Sequence, residues 1–443
     1  MDRPTLLGDS AKKRRPVDPA GGGAVILCIR VFSARYAKFF RKAVSGGTYV
    51  TQRVKSCPRY AGGRWFFYKQ AATEKFMATV ADRVFNFSAG PAVLPLPVLE
   101  KAQRDLLSLP GVGSSVLEIS HRSKAFDGIL ERTLVGLKSL LGIGEEYEVV
   151  LIQGGASLQF SMVPMNFLSG QSGAADYVLT GTWGKGGLKE ASRIGKTHIA
   201  WDGGINGYNC LPSADEIRLS ESPAYVHVTS NETIQGVQWQ QMPSFENVPL
   251  ICDSSSDFLS RPMDISQYGM IYACAQKNAG IAGVTVAIIR RDLLARSRDD
   301  LPAMLDYRTF VEKGSRPNTP PVFAVYILGL VCEWLMNEVG GLHAISERNT
   351  AKAAKVYEVI DSSSGFYKGH ACPASRSIMN VTFRLPSEDL EATFVKHAAS
   401  AGLTDLKGHR SVGGIRASIY NAMPEEGVEA LCQFMNDFKC SHG

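Results

Sequence analysis

Apolar residues recur at helical spacing in two segments near the start of the regular pattern. Pro97 occupies a first-turn position of the first segment, which ends at Pro110-Gly111. Ser123 can cap the second segment, whose apolar residues recur every three or four positions until Gly142. The pattern predicts two amphipathic helices that pack on a core.

Short β-rich apolar runs follow, separated by helical or loop stretches. The runs cover residues 148–152, 177–180, 224–228, 249–252, 271–275 and 284–289. This alternation favours an α/β fold with a mostly parallel sheet between helices. After a helix-rich stretch at 321–339, the pattern changes to helix 347–360, strand 377–384, helix 390–401 and strand 414–419. We therefore expect a large αβα domain at 96–340 and a smaller α+β domain at 341–443, with residues 81–95 packing on the smaller one.

Composition separates the first 80 residues from the rest of the 443-residue chain. They hold 16 Lys/Arg and 4 Asp/Glu, a charge of +12, whereas the whole chain has 48 Lys/Arg and 42 Asp/Glu, so the remainder carries −6. An Arg-rich, acid-poor segment of this kind is typical of a targeting sequence. The alternatives are an untranslated or non-functional leader, with Met77 as a later start, and a segment that contacts nucleic acid or an anionic membrane. We expect residues 1–80 to be a basic leader, targeting or disordered.

The remaining composition excludes several classes of protein. With 45% hydrophobic and 20% charged residues, disorder is excluded as the main state. No run of 18 apolar residues occurs, so no membrane span is predicted. The nine cysteines are widely spaced, without a Cys-x-x-Cys pair, and predict neither a disulfide framework nor a metal site. A reducing compartment is the expected location: the cytoplasm, or a plastid or mitochondrion if the leader is a targeting segment.

Polar residues follow several of the predicted strands, where open α/β sheets bind ligands. Gln153-Gly154-Gly155-Ala156-Ser157 leads into a helix whose N-terminal N–H groups can hold a phosphate. Trp183, Asp253 and Lys277 follow three further strands. Taken singly, the tryptophan is typical of a core and the aspartate of a helix cap. Together, these features are the parts of a pyridoxal-phosphate enzyme. The loop 153–157 is a phosphate cup, that is, a phosphate-binding loop, and the tryptophan is an aromatic ring that can stack on the cofactor. The aspartate is a carboxylate for the pyridine nitrogen, and the lysine is a nucleophile.

Eight motifs in order along the chain carry a family resemblance. They are FNFSAGPAVLP (85–95), SHRSKAF (120–126), QGGASLQF (153–160), NETIQG (231–236), DSSSDFLSRP (253–262), AQKN (275–278), NTPP (318–321) and GHRSVGGIRASIYNA (408–422). On these motifs, residues 83–440 resemble the phosphoserine aminotransferases, class V, fold-type I enzymes that use pyridoxal 5'-phosphate. The resemblance implies exchange of an amino group between L-glutamate and 3-phosphohydroxypyruvate in L-serine biosynthesis.

The resemblance also assigns roles at the cofactor. Lys277 is expected to carry the cofactor and to act as nucleophile and general acid/base, with Asp253 as partner of the pyridine nitrogen. The other expected cofactor-binding residues are Ala156, Ser157, Trp183, Thr233, Gln276, Asn318 and Thr319. Because Asn318 and Thr319 resemble a pair that reaches the phosphate from the neighbouring subunit, the resemblance implies a homodimer with shared active sites.

Substrate binding is expected from a second set of residues. Arg416 resembles the guanidinium that pairs with the substrate α-carboxylate, a bidentate task suited to arginine. The pairs His121-Arg122 and His409-Arg410 resemble the site for the distal phosphate or carboxylate, and Ser88 is expected to line the pocket. Some relatives have arginine where Ser157 stands, and that arginine helps to bind the substrate phosphate, so binding of the substrate phosphate here is expected to depend more on the two His-Arg pairs.

Two rival interpretations stay open at this point. Other class V enzymes, such as alanine–glyoxylate or serine–pyruvate aminotransferases or cysteine desulfurases, share the lysine and aspartate but lack the two His-Arg pairs. A non-catalytic binding protein on the same fold is the second rival. The expected partners are small-molecule substrates and a second copy of the chain, without nucleic acid or membrane.

Overall fold

The computed structural model describes residues 83–170 and 172–443, so the expectations for the basic leader at 1–80 lie outside the described residues. Ten α-helices lie within the described ranges. They are α1 (Leu96–Leu107), α2 (Lys124–Leu141), α3 (Gly155–Phe167), α4 (Thr182–Ala191), α5 (Arg291–Leu294), α6 (Tyr307–Glu312), α7 (Val322–Trp334), α8 (Gly341–Asp361), α9 (Glu388–Ser400) and α10 (Glu425–His442). The two amphipathic helices expected first are α1 and α2. Ser123 Oγ accepts the N–H of Phe126, and Gly142 ends α2 in the left-handed conformation.

Seven strands form the central sheet. The described residues contain β1 (Phe85–Asn86), β2 (Tyr147–Ile152), β3 (Ala174–Leu179), β4 (Thr197–Asp202), β5 (Pro223–Thr229), β6 (Asn231–Glu232), β7 (Val237–Gln238), β8 (Leu250–Asp253), β9 (Met270–Cys274), β10 (Thr285–Arg290), β11 (Lys368–Gly369), β12 (Asn380–Arg384), β13 (Leu403–Thr404) and β14 (Ile415–Ser418). The sheet order is β2-β10-β9-β8-β5-β3-β4. Strand β10 runs antiparallel to both neighbours, and the other neighbouring strands are parallel. The expected α/β class with a mostly parallel sheet is confirmed.

Helices cover both faces of this sheet because successive residues of its strands point to opposite sides. In β2, Val149 and Leu151 pack in one hydrophobic cluster with α2 and α7, whereas Val150 and Ile152 pack in a second cluster with α3. Among the described residues one stretch, Val322–Val339, which is α7 with a following π-helical turn, is long and apolar enough to cross a membrane by length and composition alone. Of the residues in this stretch, 61% are buried inside the protein, as in a core helix.

The C-terminal part of the chain forms a separate hydrophobic cluster. Helices α8, α9 and α10 pack with the antiparallel sheet β11-β12-β14 around buried residues that include Phe383 and Phe394. Strand β1 pairs in parallel with β13, and Phe87, next to β1, lies in the same cluster. The N-terminal segment therefore lies against the C-terminal sheet region, while the domain boundaries at 95/96 and 340/341 stay a prediction.

One disulfide connects the two parts of the described fold, contrary to the expectation from cysteine spacing. Cys210, in the loop after β4, is bonded to Cys372, in the loop between β11 and β12. The backbone N–H of Cys372 also donates to the carbonyl of Asn209 at 2.8 Å. The sequence pattern could not predict this pair because 162 residues separate the two cysteines.

Candidate active site

Lys277 lies just beyond the carboxyl end of β9. Its Nζ donates a hydrogen bond to Thr233 Oγ1 at 2.8 Å and lies 5.2 Å from the centre of the Trp183 ring. Thr233 follows β6, and Trp183 is the second residue of α4, directly after β3. The parallel arrangement of the strands therefore brings three predicted residues together at one edge of the sheet.

Asp253 is the last residue of β8, the strand next to β9. Its side chain is 4% exposed, and its Oδ1 accepts the backbone N–H of Ser255 at 3.0 Å. Burial raises the pKa of Asp253, and the positive charge of Lys277 opposes that rise. Since burying a carboxylate is costly without a charged or hydrogen-bonding partner, this position suits a group that presents an N–H⁺.

The predicted phosphate cup is the loop between β2 and α3. Gly154 and Gly155 adopt positive φ angles of 97° and 67°, a backbone conformation that glycine allows at little cost. Helix α3 begins at Gly155, so Ala156 and Ser157 lie in its first turn, with Ser157 exposed. Unpaired N–H groups and the positive end of a 13-residue helix favour a bound anion here.

Arg416 lies on β14, opposite Thr382 of β12. Burial lowers the pKa of this arginine, and its Nε is buried without a hydrogen-bond partner among the described residues. His409 precedes β14, and its Nδ1 lies 2.7 Å from Ser411 Oγ. Burial, Arg416 and Arg410 together lower the pKa of His409. The positive charges of Arg416 and Arg410 thus lie near a histidine that can gain a proton, an arrangement suited to an anionic substrate.

His121 and Arg122 share a cavity of about 550 Å³ with Asn318 and Thr319. Lys313, Arg316 and Pro317 complete the lining, whereas Lys277, Asp253 and Arg416 do not line this cavity. Arg316 joins its two sides, because Nη1 donates to the His121 carbonyl at 3.4 Å and pairs with Asp127. The structure thus groups Asn318 and Thr319 with one His-Arg pair, apart from the residues around Lys277.

Gln153 connects this cavity to the phosphate cup. Its Nε2 donates to Asn318 Oδ1 at 3.1 Å and to the Thr319 carbonyl at 3.0 Å. Gln153 immediately precedes Gly154 and Gly155 in the chain. The NTPP loop is therefore attached to the cup of its own chain.

The N-terminal segment lies on the Lys277 side of the site. The Ala92 N–H donates to the Gln276 carbonyl at 2.9 Å, and a Cβ added at Gly90 would lie 3.4 Å from Lys277 Cγ. Ser88, two residues before Gly90, is half-buried and accepts the Gly90 N–H at 3.4 Å. Gln276, directly before Lys277, is therefore bound by the N-terminal segment. Ser88 is two residues away in the chain from Gly90, which lies close to Lys277.

Glu232 is a site residue that the sequence analysis did not single out. It is fully buried between Asn231 and Thr233, and its carboxylate accepts the N–H groups of Trp183 and Gly184 at 3.0 and 2.9 Å. Burial raises the pKa of Glu232 to about 7, although these two hydrogen bonds oppose the rise. Its position in the NETIQG motif, next to Thr233, was the only signal in the sequence.

The residues present fit pyridoxal phosphate on several independent observations. The buried Asp253 carboxylate has a hydrogen bond to Oδ1 alone within the described residues. The first turn of α3 presents free N–H groups, and the Trp183 ring forms a flat wall beside Lys277 Nζ. A phosphate, an aromatic ring with a protonated nitrogen and a carbonyl carbon would each find a matching group here.

Comparison with known proteins agrees with this geometry. The family model "Aminotransferase class-V" matches residues 84–431. A phosphoserine aminotransferase of Rhodopirellula baltica is 50% identical over 370 residues, 83% of this chain and 98% of the relative, and one of Geobacillus kaustophilus is 53% identical over 358 residues, 81% and 98%. A solved phosphoserine aminotransferase of Bacillus circulans subsp. alkalophilus has a TM-score of 0.80 at 50% identity and covers 82% of this chain and 100% of its own. A PLP-bound phosphoserine aminotransferase from Trichomonas vaginalis has a TM-score of 0.76 at 41% identity, covering 80% and 100%.

Fold, site and family match define a class-V, pyridoxal-phosphate-dependent aminotransferase. Within that class, the chain belongs to the phosphoserine aminotransferase family. The family, the fold type, the enzyme class, the activity and the cofactor expected from the sequence are therefore confirmed. The roles of the individual site residues and the homodimer remain predictions.

Proposed function

We propose that this chain transfers the amino group of L-glutamate to 3-phosphohydroxypyruvate, giving 2-oxoglutarate and O-phospho-L-serine for L-serine biosynthesis. The observation that carries the proposal is the position of Lys277 Nζ, held by Thr233 at 2.8 Å and lying over the Trp183 ring beside the buried Asp253. The phosphoserine aminotransferases that are 50% identical or more support the choice of substrates.

Lys277 is proposed as both nucleophile and general acid/base. Its amine removes the Cα proton of glutamate and returns a proton to Cα of phosphoserine in the second half of the cycle. The hydrogen bond to Thr233 Oγ1 fixes Nζ on one side of the site, and Trp183 limits its movement on another. A fixed amine needs less reorganisation before it reaches the Cα proton.

Pyridoxal phosphate, when bound, supplies the electron sink that stabilises negative charge developing at Cα. Asp253 is proposed to hold the protonated pyridine nitrogen, and Trp183 to orient the ring. The N–H groups of Ala156 and Ser157 and the side chain of Gln276 are proposed to hold the phosphate. Because Ser157 carries no charge, the positive end of α3 is expected to contribute most of the attraction to the cofactor phosphate.

Arg416 is proposed to bind the substrate α-carboxylate. Its buried Nε has no partner among the described residues, so a bidentate carboxylate would satisfy it. His121, Arg122, His409 and Arg410 are proposed to bind the distal phosphate or carboxylate, with Ser88 lining the pocket. A dianionic phosphate gains more from this cationic set than the distal carboxylate of glutamate does.

A homodimer with shared sites is proposed because Asn318 and Thr319 do not line the region around Lys277 of the same chain. They lie in the cavity with His121 and Arg122, and both are exposed. In a symmetric dimer one chain's cavity can complete the other chain's Lys277 site. We further propose a cytoplasmic location, or a plastid or mitochondrion if residues 1–80 act as a targeting segment; attaching them to a fluorescent protein and imaging its location tests this.

The reaction is tested by following the visible absorbance of the cofactor-loaded protein. Glutamate should remove the band of the resting enzyme, and 3-phosphohydroxypyruvate should restore it. Equal restoration by pyruvate or glyoxylate would contradict the proposed substrate and favour the alanine–glyoxylate or serine–pyruvate type. A protein that never shows the band would support the non-catalytic alternative.

The shared site is tested by mixing two inactive variants. Lys277→Ala supplies intact Asn318 and Thr319, whereas the double variant Asn318→Ala/Thr319→Ala supplies an intact lysine. After subunit exchange, mixed dimers regain one complete site each, so about a quarter of wild-type activity should return. No gain over the average of the two parent variants would show that each site uses residues of one chain only.

A further inference from the structure

We propose that Glu232 is the positioning residue that fixes Trp183 beside Lys277 Nζ. This inference rests on the proposed function, because it assigns Trp183 to the cofactor ring. It adds a residue that acts through another side chain rather than touching the substrate. The argument follows from the hydrogen bonds of Glu232, from its burial and from the hairpin that carries it.

Glu232 binds the beginning of α4 with both carboxylate oxygens. Oε2 accepts the Trp183 N–H at 3.0 Å, and Oε1 accepts the Gly184 N–H at 2.9 Å. These N–H groups belong to the first turn of the helix, where no intrahelical acceptor is available. The backbone of Trp183 is therefore held in position by one side chain, and the ring that projects from it is held as a consequence.

The surroundings of Glu232 leave little room for movement. The residue is fully buried, and a Cβ added at Gly181 would lie 2.5 Å from Glu232 Cδ, so position 181 accepts only glycine without rearrangement. Neighbouring Gln235 supports the same turn, because its Nε2 donates to Thr182 Oγ1 at 2.8 Å. Burial of a carboxylate is costly, so two directed hydrogen bonds at this place indicate a specific structural task.

Thr233 provides the second half of the argument. Glu232 and Thr233 are adjacent, and while Glu232 binds the Trp183 backbone, Thr233 Oγ1 accepts the hydrogen bond of Lys277 Nζ. The hairpin of β6 and β7 thus holds the ring and the amine from neighbouring positions. A small displacement of Glu232 would change the distance between Lys277 and Trp183.

The same hairpin also contacts the strand beside Arg416. The Gln235 carbonyl accepts the Thr382 hydroxyl at 2.8 Å, and Thr382 lies opposite Arg416 in the register of β12 and β14. A short series of contacts therefore leads from Trp183 through Glu232, Gln235 and Thr382 to Arg416, the proposed carboxylate-binding arginine. Its effect should be visible in cofactor binding first and in substrate binding second.

The test compares Glu232→Gln and Glu232→Ala with Asp176→Asn as a matched control. Asp176 is another fully buried carboxylate, on β3, and accepts the N–H and hydroxyl of Ser220, both at 2.7 Å. Both kinds of variant should lower thermal stability, since each removes a buried hydrogen-bond acceptor. Only the Glu232 variants should change the visible circular dichroism of the bound cofactor and its dissociation constant.

We expect Glu232→Ala to weaken cofactor affinity about tenfold and Glu232→Gln, which keeps one acceptor oxygen, about threefold. In a Trp183→Ala background, Glu232→Gln should change the affinity less than about 1.5-fold, because residues that act as one unit are not additive. Glu232→Gln carries the test if Glu232→Ala does not fold. Unchanged dichroism and affinity in Glu232→Gln, or full additivity with Trp183→Ala, would overturn the proposal.

These measurements do not depend on the amino acceptor. If the enzyme used pyruvate instead of the phosphorylated oxo acid, the proposed function would fail, but the changes in cofactor dichroism would still be found. If the substrate assignment holds and the dichroism does not change, the inference about Glu232 alone is wrong.

Discussion

The end of the site around Lys277 is buried, whereas the end around Arg122, Asn318 and Thr319 is open to solvent. Thr233 and Asp253 are 2% and 4% exposed and accept hydrogen bonds of 2.8 and 3.0 Å from Lys277 and Ser255. Arg122, Asn318 and Thr319 are exposed, and Arg122 has no ion pair within the described residues. Burial strengthens an electrostatic contact, whereas exposure weakens it through solvent screening. Contacts within one chain therefore hold the residues around Lys277 more firmly than the exposed residues of the cavity that His121 and Arg122 share with Asn318 and Thr319.

The largest effect is expected at the buried end, from Lys277→Ala. Loss of the amine removes both nucleophile and general acid/base, so turnover should fall by about 10⁴-fold or more. Steady-state assays of the purified variant measure this, with Lys189→Ala on the exposed side of α4 as the control. More than a trace of remaining rate would contradict the assignment of Lys277.

Asp253→Asn should have the next largest effect. The amide keeps the size of the side chain but removes the negative charge, so kcat should fall about 100-fold. The Michaelis constants should change much less, because Asp253 is not proposed to touch the substrate. Asp264→Asn, which makes the same chemical change at an exposed aspartate, serves as the control and should retain wild-type kcat.

At the open end, Arg122→Ala should act mainly on substrate binding. Loss of a charge-assisted contact should raise the KM for 3-phosphohydroxypyruvate by about 10-fold to 100-fold. The KM for glutamate should rise less, because its distal carboxylate carries less charge. Equal and small changes for both substrates would place Arg122 outside the site. The control is Arg193→Ala, at an exposed arginine two residues after the end of α4.

The smallest effect is expected from the pH dependence of His409. Burial, Arg416 and Arg410 lower its pKa below the ordinary value, so the free enzyme holds His409 neutral at pH 7. A bound phosphate favours the protonated form, so phosphate affinity should increase as pH falls. Between pH 8 and pH 6 the wild type should gain about threefold more affinity than His409→Asn. Identical pH profiles would show that His409 does not contact the phosphate.

The buried part of the fold could largely be predicted from the sequence. The six apolar runs correspond to β2, β3, β5, β8, β9 and β10, because nearly all residues of these strands are buried, on both faces of the sheet. Strand β4 was missed because all but one of its residues are partly or fully exposed, unlike those of β2 at the opposite edge of the sheet. Helix α8 begins at Gly341 rather than near residue 347, directly after the π-helical turn.

The candidate site could be predicted as a set of residues but not as an arrangement. Asp253 and Lys277 were found because a charged group at the end of an apolar strand is unusual. Glu232 was missed because β6 is only two residues long and shows no periodicity. The separation of His121-Arg122 from the Lys277 region depends on contacts between distant loops, which a single sequence does not encode in any local pattern.

The parallel pairing of β1 with β13 has a consequence for synthesis of the protein. Phe85 leaves the ribosome long before its partner Leu403, which follows about 320 residues later. At typical rates of translation this interval lasts roughly 15 to 60 s. Strand β1 can take its place beside β13 only after residue 403 has been made, so the N-terminal segment is without this partner throughout the synthesis of the large central sheet.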